Sequence, residues 1–150
     1  HKETKDGQEN KIYKMRILIR IEHPDSGFGI FRHNGHQTII EKLDEPNLFY
    51  TKYFSVYSNK AIWQILIHRP YKMTRLEYKQ YFSGFKSTSV LKECISQENI
   101  KTFIDLGFKI YRIKVSHCIR DDKRYFFKKE RIISKTDITN IFNEQHNKQI

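Results

Sequence analysis

Residues 108–133 read FKIYRIKVSHCIRDDKRYFFKKERII, and the pattern of that stretch decides the fold. Phe108 to Val115 alternates with a period of two, as a strand with one buried face does. Asp121-Asp122 is turn chemistry, and Tyr125 to Ile133 reads as the returning partner of a hairpin. Just upstream, Ser96 can cap a helix whose Ile100, Phe103 and Ile104 fall on one face, with Gly107 closing it in left-handed geometry. Just downstream, Thr136 is predicted to cap a last helix carrying Ile138, Ile141 and Phe142.

Further out the same logic applies. Ile17, Ile19 and Ile21 alternate with Arg16, Leu18 and Arg20, which predicts a strand over 13–22. His23-Pro24-Asp25-Ser26-Gly27 is a turn, and Gly29 to Arg32 with Thr38 to Glu41 predict two short strands around an Asn34-Gly35 hairpin. Asn47 to Tyr57 is aromatic and takes no assignment. Ala61 to His68 predicts a buried strand stopped by Pro70. Thr74 and Glu77 form a capping box, with Met73 and Tyr78 as its staple, for a helix from 75 to about 82 ending at Ser83-Gly84. Ser87-Thr88-Ser89 can cap a short helix through Cys94. The expected architecture is one α+β domain over 15–150: a mainly antiparallel sheet with three to four short helices packed on one side, behind a polar tail or linker at 1–14.

Composition bounds the function. The chain has 150 residues, of which 38% are hydrophobic and 14% aromatic, enough for one core and against disorder. No apolar run approaches the roughly 20 residues of a bilayer span, and the opening HKETKDGQEN lacks the hydrophobic stretch of a signal peptide. Two cysteines, Cys94 and Cys118, neither make a zinc site unaided nor suggest a disulfide-dense secreted scaffold, so a reducing cytoplasm is the expected location and no membrane partner is expected.

Charge points to the partner. Lys and Arg number 28 against 17 Asp and Glu, a formal +11. The two halves of the chain are balanced, but residues 109–135 hold ten bases and three acids. Pairing of the two predicted strands sets Arg112 and Lys114 on one face with Lys128 or Lys129 across from them. Tyr111, Tyr125, Phe126 and Phe127 interleave with the bases, and rings of that kind stack on nucleobases while cations take phosphates. The candidate nucleic-acid surface is therefore Lys109, Arg112, Lys114, Arg124, Lys128, Lys129 and Arg131 with Tyr111 and Tyr125. A solvated, lysine-rich outer face accounts for the same composition.

Enzyme readings rest on fewer residues. A metal-independent ribonuclease needs a base, an acid and a phosphate-binding cation, roles open to His33 or His36 with His68 and Arg32. His33 and His36 straddle an Asn-Gly turn, which is not a helical metal pair, so no metal is expected. Gly27 and Gly29 are followed by Arg32 where a dinucleotide loop needs its third glycine, so no cofactor is expected either. Cys94 is predicted to pack in a helix and Cys118 to sit in a loop beside His117; neither gives the geometry of a thiolate nucleophile.

Two resemblances accompany these readings. Ser87-Thr88-Ser89 resembles the Ser-Thr-Ser motif of arginine-type ADP-ribosyltransferases, which follow a first-strand arginine with that motif and then a late strand bearing the catalytic glutamate. The resemblance implies roles for Arg20 and Glu130, although Lys128 stands where that family has Gln or Glu. Helix capping by the same serines is the competing reading. Second, Ile21-Glu22-His23-Pro24 with Gly27 and Gly29, then Gly84-Phe85-Lys86-Ser87, then Gly107 to Ile113, resembles a layout in small uncharacterised phage and prophage proteins over residues 16–115. It implies a mobile-element protein acting inside a bacterial cell, against host defence, by binding nucleic acid or a nucleoprotein complex. The leading expectation is accordingly a non-enzymatic basic binding module; the alternative is an enzyme acting on RNA or a nucleotide.

Overall fold

In chain order the elements are β1 (Tyr13–Glu22), α1 (His36–Glu41), α2 (Arg75–Tyr78), β2 (Tyr81–Phe85), α3 (Thr88–Cys94), α4 (Gln97–Asp105), β3 (Lys109–Arg120), β4 (Arg124–Lys128), a 3-10 turn at Lys129–Arg131, β5 (Ile132–Asp137) and α5 (Thr139–Lys148). The computed structural model describes residues 12–30, 36–47, 49, 65–68, 71–121 and 123–148; the side chains of 36–38 and 144–148 lie outside that description.

The alternation in β1 and β3 does what it predicts. The two strands pair antiparallel from Tyr13 opposite Cys118 to Glu22 opposite Lys109, and the alternate residues part to opposite faces. Leu18, Ile113 and Val115 go inward, where Tyr125 and Phe127 of β4 meet them; Cys118, of the other parity, joins the same cluster near the end of β3, opposite Tyr13. Ile19, Ile21 and Ile110 go outward, under Leu91, Ile100 and Phe103 of α3 and α4 and Ile138 and Phe142 at α5. A second outer cluster joins Ile119 and Phe126 to Leu66, with Met73 and Tyr78 packed on it. The result is an α+β fold with an antiparallel five-stranded sheet.

The sheet rolls up. β2 pairs with β1 at Ile19–Phe85 and with β4 on its other edge, from Tyr81–Lys128 to Phe85–Arg124. β4 in turn pairs with the end of β3, at Ile119–Phe126 and Arg120–Tyr125. The order β1–β2–β4–β3 therefore closes on itself, and β5 is added to β3 at residues 111–115. Gly84 permits the closure: a Cβ there would stand 2.4 Å from Leu18 Cδ1 and 3.0 Å from the Ile19 carbonyl oxygen. The glycine read as a helix stop is instead a close-approach point between strands.

Several predicted elements change. The capping box is present, with Thr74 Oγ1 accepting from the Glu77 amide at 3.2 Å and Glu77 Oε1 accepting from the Thr74 amide at 2.9 Å, but α2 ends at Tyr78 rather than near residue 82. Tyr81 and Phe82 are drawn into the sheet by their partners Lys128 and Phe127. Residues 38–41 are helical, not a strand, because Ile40 and Leu43, three apart, both reach the outer core. Ile65 and Leu66 are helical as well, and Gly29 and Ile30 form no strand. The Asn34-Gly35 turn and residues 61–64 lie outside the described residues.

The hairpin partner of β3 splits in two. β4 pairs with β2 along its whole length but with β3 only at Tyr125 and Phe126, and the Lys129–Arg131 turn brings the chain back to β3 as β5. Thr136 is thereby a strand residue opposite Arg112 and not a helix cap. Asp137 Oδ1 accepts from the Thr139 amide at 2.9 Å instead, while Thr139 Oγ1 accepts from the Ile110 amide at 2.9 Å, which ties the start of α5 to β3. Ser87 and Ser96 cap α3 and α4 as predicted, and Gly107 ends the α4 region at φ +99°. Cys118 is a buried strand residue, not a loop residue, and burial pushes its thiol up to about 11, away from thiolate chemistry.

Candidate functional site

Where β4 parts from β3 and β5 takes its place, the strands diverge and leave a cleft of about 490 Å³. Its floor is Ile113, Phe127 and Ile132, and the turn at 24–27 forms one wall. The inward parity of β1 continues past Leu18 to Arg20 and Glu22, so a guanidinium and a carboxylate enter the interior from the same strand. Both are nearly buried, at 6% and 5% exposure. Burial of that kind demands partners. Arg20 Nε donates to Glu22 Oε1 at 2.9 Å, Nη1 to the Ser83 carbonyl at 2.6 Å and Nη2 to the Gly27 carbonyl at 3.2 Å. Lys135, from β5, pairs with the other oxygen of Glu22.

Aromatic rings hold the cations of this cleft. The Phe82 ring has the Arg20 guanidinium carbon 5.1 Å from its centroid and Lys129 Nζ at 5.2 Å. Tyr111 has Lys135 Nζ at 4.4 Å, and at the end of β4 Lys128 Nζ is 5.7 Å from the Tyr81 ring. Such contacts orient an ammonium without neutralising it. Among the described residues no ion pair involves Lys128, Lys129 or Arg131. Arg131 reaches His117 Nδ1 at 3.4 Å. The Tyr111 hydroxyl is pushed above its ordinary range by burial and then by the charges of Glu22 and Asp137, so it stays a neutral phenol.

The predicted basic surface is divided by this geometry. Arg112 and Lys114 have the opposite parity to Ile113 and face outward; across from them stand Ile19 and Thr136, and Ile17 and Ser134, not Lys128 or Lys129. Lys128 pairs with Tyr81, and Lys129 opens the 3-10 turn on the cleft side. Arg124 is 4% exposed and gives Nε and Nη2 to Asp121 Oδ2 at 3.1 and 2.8 Å. Tyr125 is 8% exposed within the inner cluster, so neither it nor Arg124 offers an open face. Lys109 pairs with Asp137 at 3.6 Å. The nearby Asp137 carboxyl is held below its usual range, first by its hydrogen bond from Thr139 and, among smaller effects, by Lys109.

Of the ribonuclease candidates, the described residues include the side chain of His68 alone, and Arg32 lies outside them. His33 lies outside the described residues, as does the side chain of His36; His68 is exposed and does not line the cleft. His23 packs edge-on against Phe108 with centroids 5.1 Å apart, in space that exists because Gly107 has no Cβ. Glu130 is exposed on the turn and is not a lining residue, while Arg20 is. Ser87 Oγ accepts from the Val90 amide at 3.2 Å, the capping role. Among the described residues no three His, Cys, Asp or Glu side chains group to hold a metal ion. Among those residues, too, no helix is long and apolar enough to cross a membrane.

Sequence reading missed Glu22, Phe82 and Lys135. The parity of Arg20 and Glu22 on one strand was a usable signal for the first; Phe82 and Lys135 carried none, because their strands were assigned differently. Compared with protein-family profiles, with curated proteins and with solved structures, the chain matches none of them.

Proposed function

We propose that this protein is a non-enzymatic binding module for nucleic acid, bare or within a nucleoprotein complex, and that it engages a single strand along the cleft side of the sheet. One observation carries the reading: Lys128, Lys129 and Lys135 rest on the rings of Tyr81, Phe82 and Tyr111 beside an apolar-floored cleft, and only Lys135 has a carboxylate partner among the described residues. Cations held on aromatic faces, in a chain of formal charge +11, suit phosphates, and neighbouring ring surface suits unstacked bases. The outward pair Arg112 and Lys114 adds long-range attraction without sharing the cleft. With the prophage-like layout of residues 16–115, the proposed setting is a mobile element in the cytoplasm of a bacterial host, with counter-defence as the role.

The test is fluorescence anisotropy with a labelled single-stranded oligonucleotide across a salt series. Affinity is expected to fall steeply with salt, and Lys128→Glu/Lys129→Glu/Arg131→Glu together to flatten the log–log slope by about 2, near 0.7 per lost single-strand contact. An affinity that ignores salt and these three substitutions overturns the reading.

A further inference from the structure

Lys129, Lys135 and Arg20 do more in this cleft than line a basic surface. They come from three separate elements, the 3-10 turn, β5 and β1, and converge on one cavity. Each is oriented by a ring: Arg20 and Lys129 by Phe82, Lys135 by Tyr111. Glu22 offsets one of the three charges. The other carboxylate lining the cleft, Asp25, is 86% exposed and faces His23 at 3.8 Å, so it leans to solvent. A positive surplus oriented by rings before any ligand arrives favours anion binding, because part of the ordering cost is already met.

Shape narrows the ligand. The floor is Ile113 at 0% exposure and Phe127 at 2%, so a ligand rests against the sheet and does not pass through it. A volume near 490 Å³ lies within the range of small-molecule sites, about 300–1,000 Å³, and admits one nucleotide. A terminal phosphate monoester carries about 1.5 to 2 negative charges at neutral pH, more than an internal phosphodiester, which matches the surplus. Gly27 gives the wall its turn, at a φ of +73° that favours glycine.

We propose that the cleft receives the phosphorylated end of a nucleic-acid strand, its phosphate between Lys129 and Lys135, with the charge of Arg20 behind them, and its terminal base against Phe82. This rests on the nucleic-acid reading, and it adds which part of the strand the module selects. A free nucleotide carries the same chemistry, so the experiment separates the two.

Anisotropy is measured for three single-stranded oligonucleotides of one sequence, with a 5′-phosphate, a 3′-phosphate or hydroxyls at both ends, and a nucleoside monophosphate is titrated separately by calorimetry. One phosphorylated strand is expected to bind about tenfold tighter than the hydroxyl-ended strand, or about 1.4 kcal/mol. Lys135→Met and, independently, the exposed Lys129→Met are expected to bring that ratio close to one. The ratio is the readout, so a general loss of affinity does not imitate the result, and a circular-dichroism melt confirms that each variant is folded. Equal binding of all three strands by the wild type overturns the strand-end proposal and leaves the nucleic-acid reading standing. Binding of the monophosphate with no binding of any strand overturns both.

Discussion

The two faces of β3 carry similar residues and have opposite fates. On the outward face Arg112 and Lys114 stand beside Ile17, which is half exposed, and across from Ser134 and Thr136. On the inward face Tyr111, Ile113 and Val115 meet Leu18 and Phe127, and the cations that approach that side come from other elements and are held by rings. A run of bases in sequence is thus not a patch in space, since the pleat sends neighbours apart and only registry with other strands decides what each one meets. The outward cations are solvated and replaceable; those facing inward are placed.

That contrast is open to direct attack. Ile113→Ala, on the inward face, is expected to cost about 2–5 kcal/mol in denaturant unfolding, whereas Arg112→Ala next to it should stay within about 0.5 kcal/mol; comparable losses would mean the faces are misassigned. Gly84→Ala forces a Cβ against Leu18 and the Ile19 carbonyl at the closing seam, and an expected cost of about 1–3 kcal/mol should appear as a lower melting temperature. In anisotropy, Arg112→Glu/Lys114→Glu is expected to weaken strand binding by about threefold while leaving any preference for a phosphorylated end intact, since only long-range attraction is lost. A vanished preference would merge the two faces into one site.

The smallest expected effect concerns the rim. Asp137 is depressed by its hydrogen bond from Thr139, with Lys109 adding to it, so the folded state binds its proton later than the unfolded chain does. Its contribution is therefore present above the ordinary carboxylate range, near pH 4, and is lost as pH falls through the lower folded value. Asp137→Asn should remove that part of the acid-side loss of stability, seen as a shallower fall in melting temperature as the pH drops below about 4. An unchanged profile would mean that the bond to Thr139 does not couple to folding.

Much of this was legible beforehand, and the pattern of success has a cause. The capping box at Thr74–Glu77, the caps at Ser87 and Ser96 and the left-handed Gly107 were read correctly because each is settled within one helical turn. β1 was read correctly because its alternation is long. The strand predicted at 38–41 failed, since Ile40 and Leu43 serve a helical spacing as well as an extended one and only the outer core chooses between them.

For the site, the residue types were visible and their grouping was not. Sequence by itself determined that the chain is basic, aromatic and α+β, because composition and short-range periodicity are properties of the chain. Tertiary structure alone decided that β4 would pair with β2 along its length and yield its place beside β3 to β5, that Gly84 would let the sheet close, and that Lys129, Lys135, Arg20 and Phe82 would meet in one cleft. Those are non-local pairings, fixed by which surfaces bury best against each other across the whole fold, and no window of adjacent residues contains them.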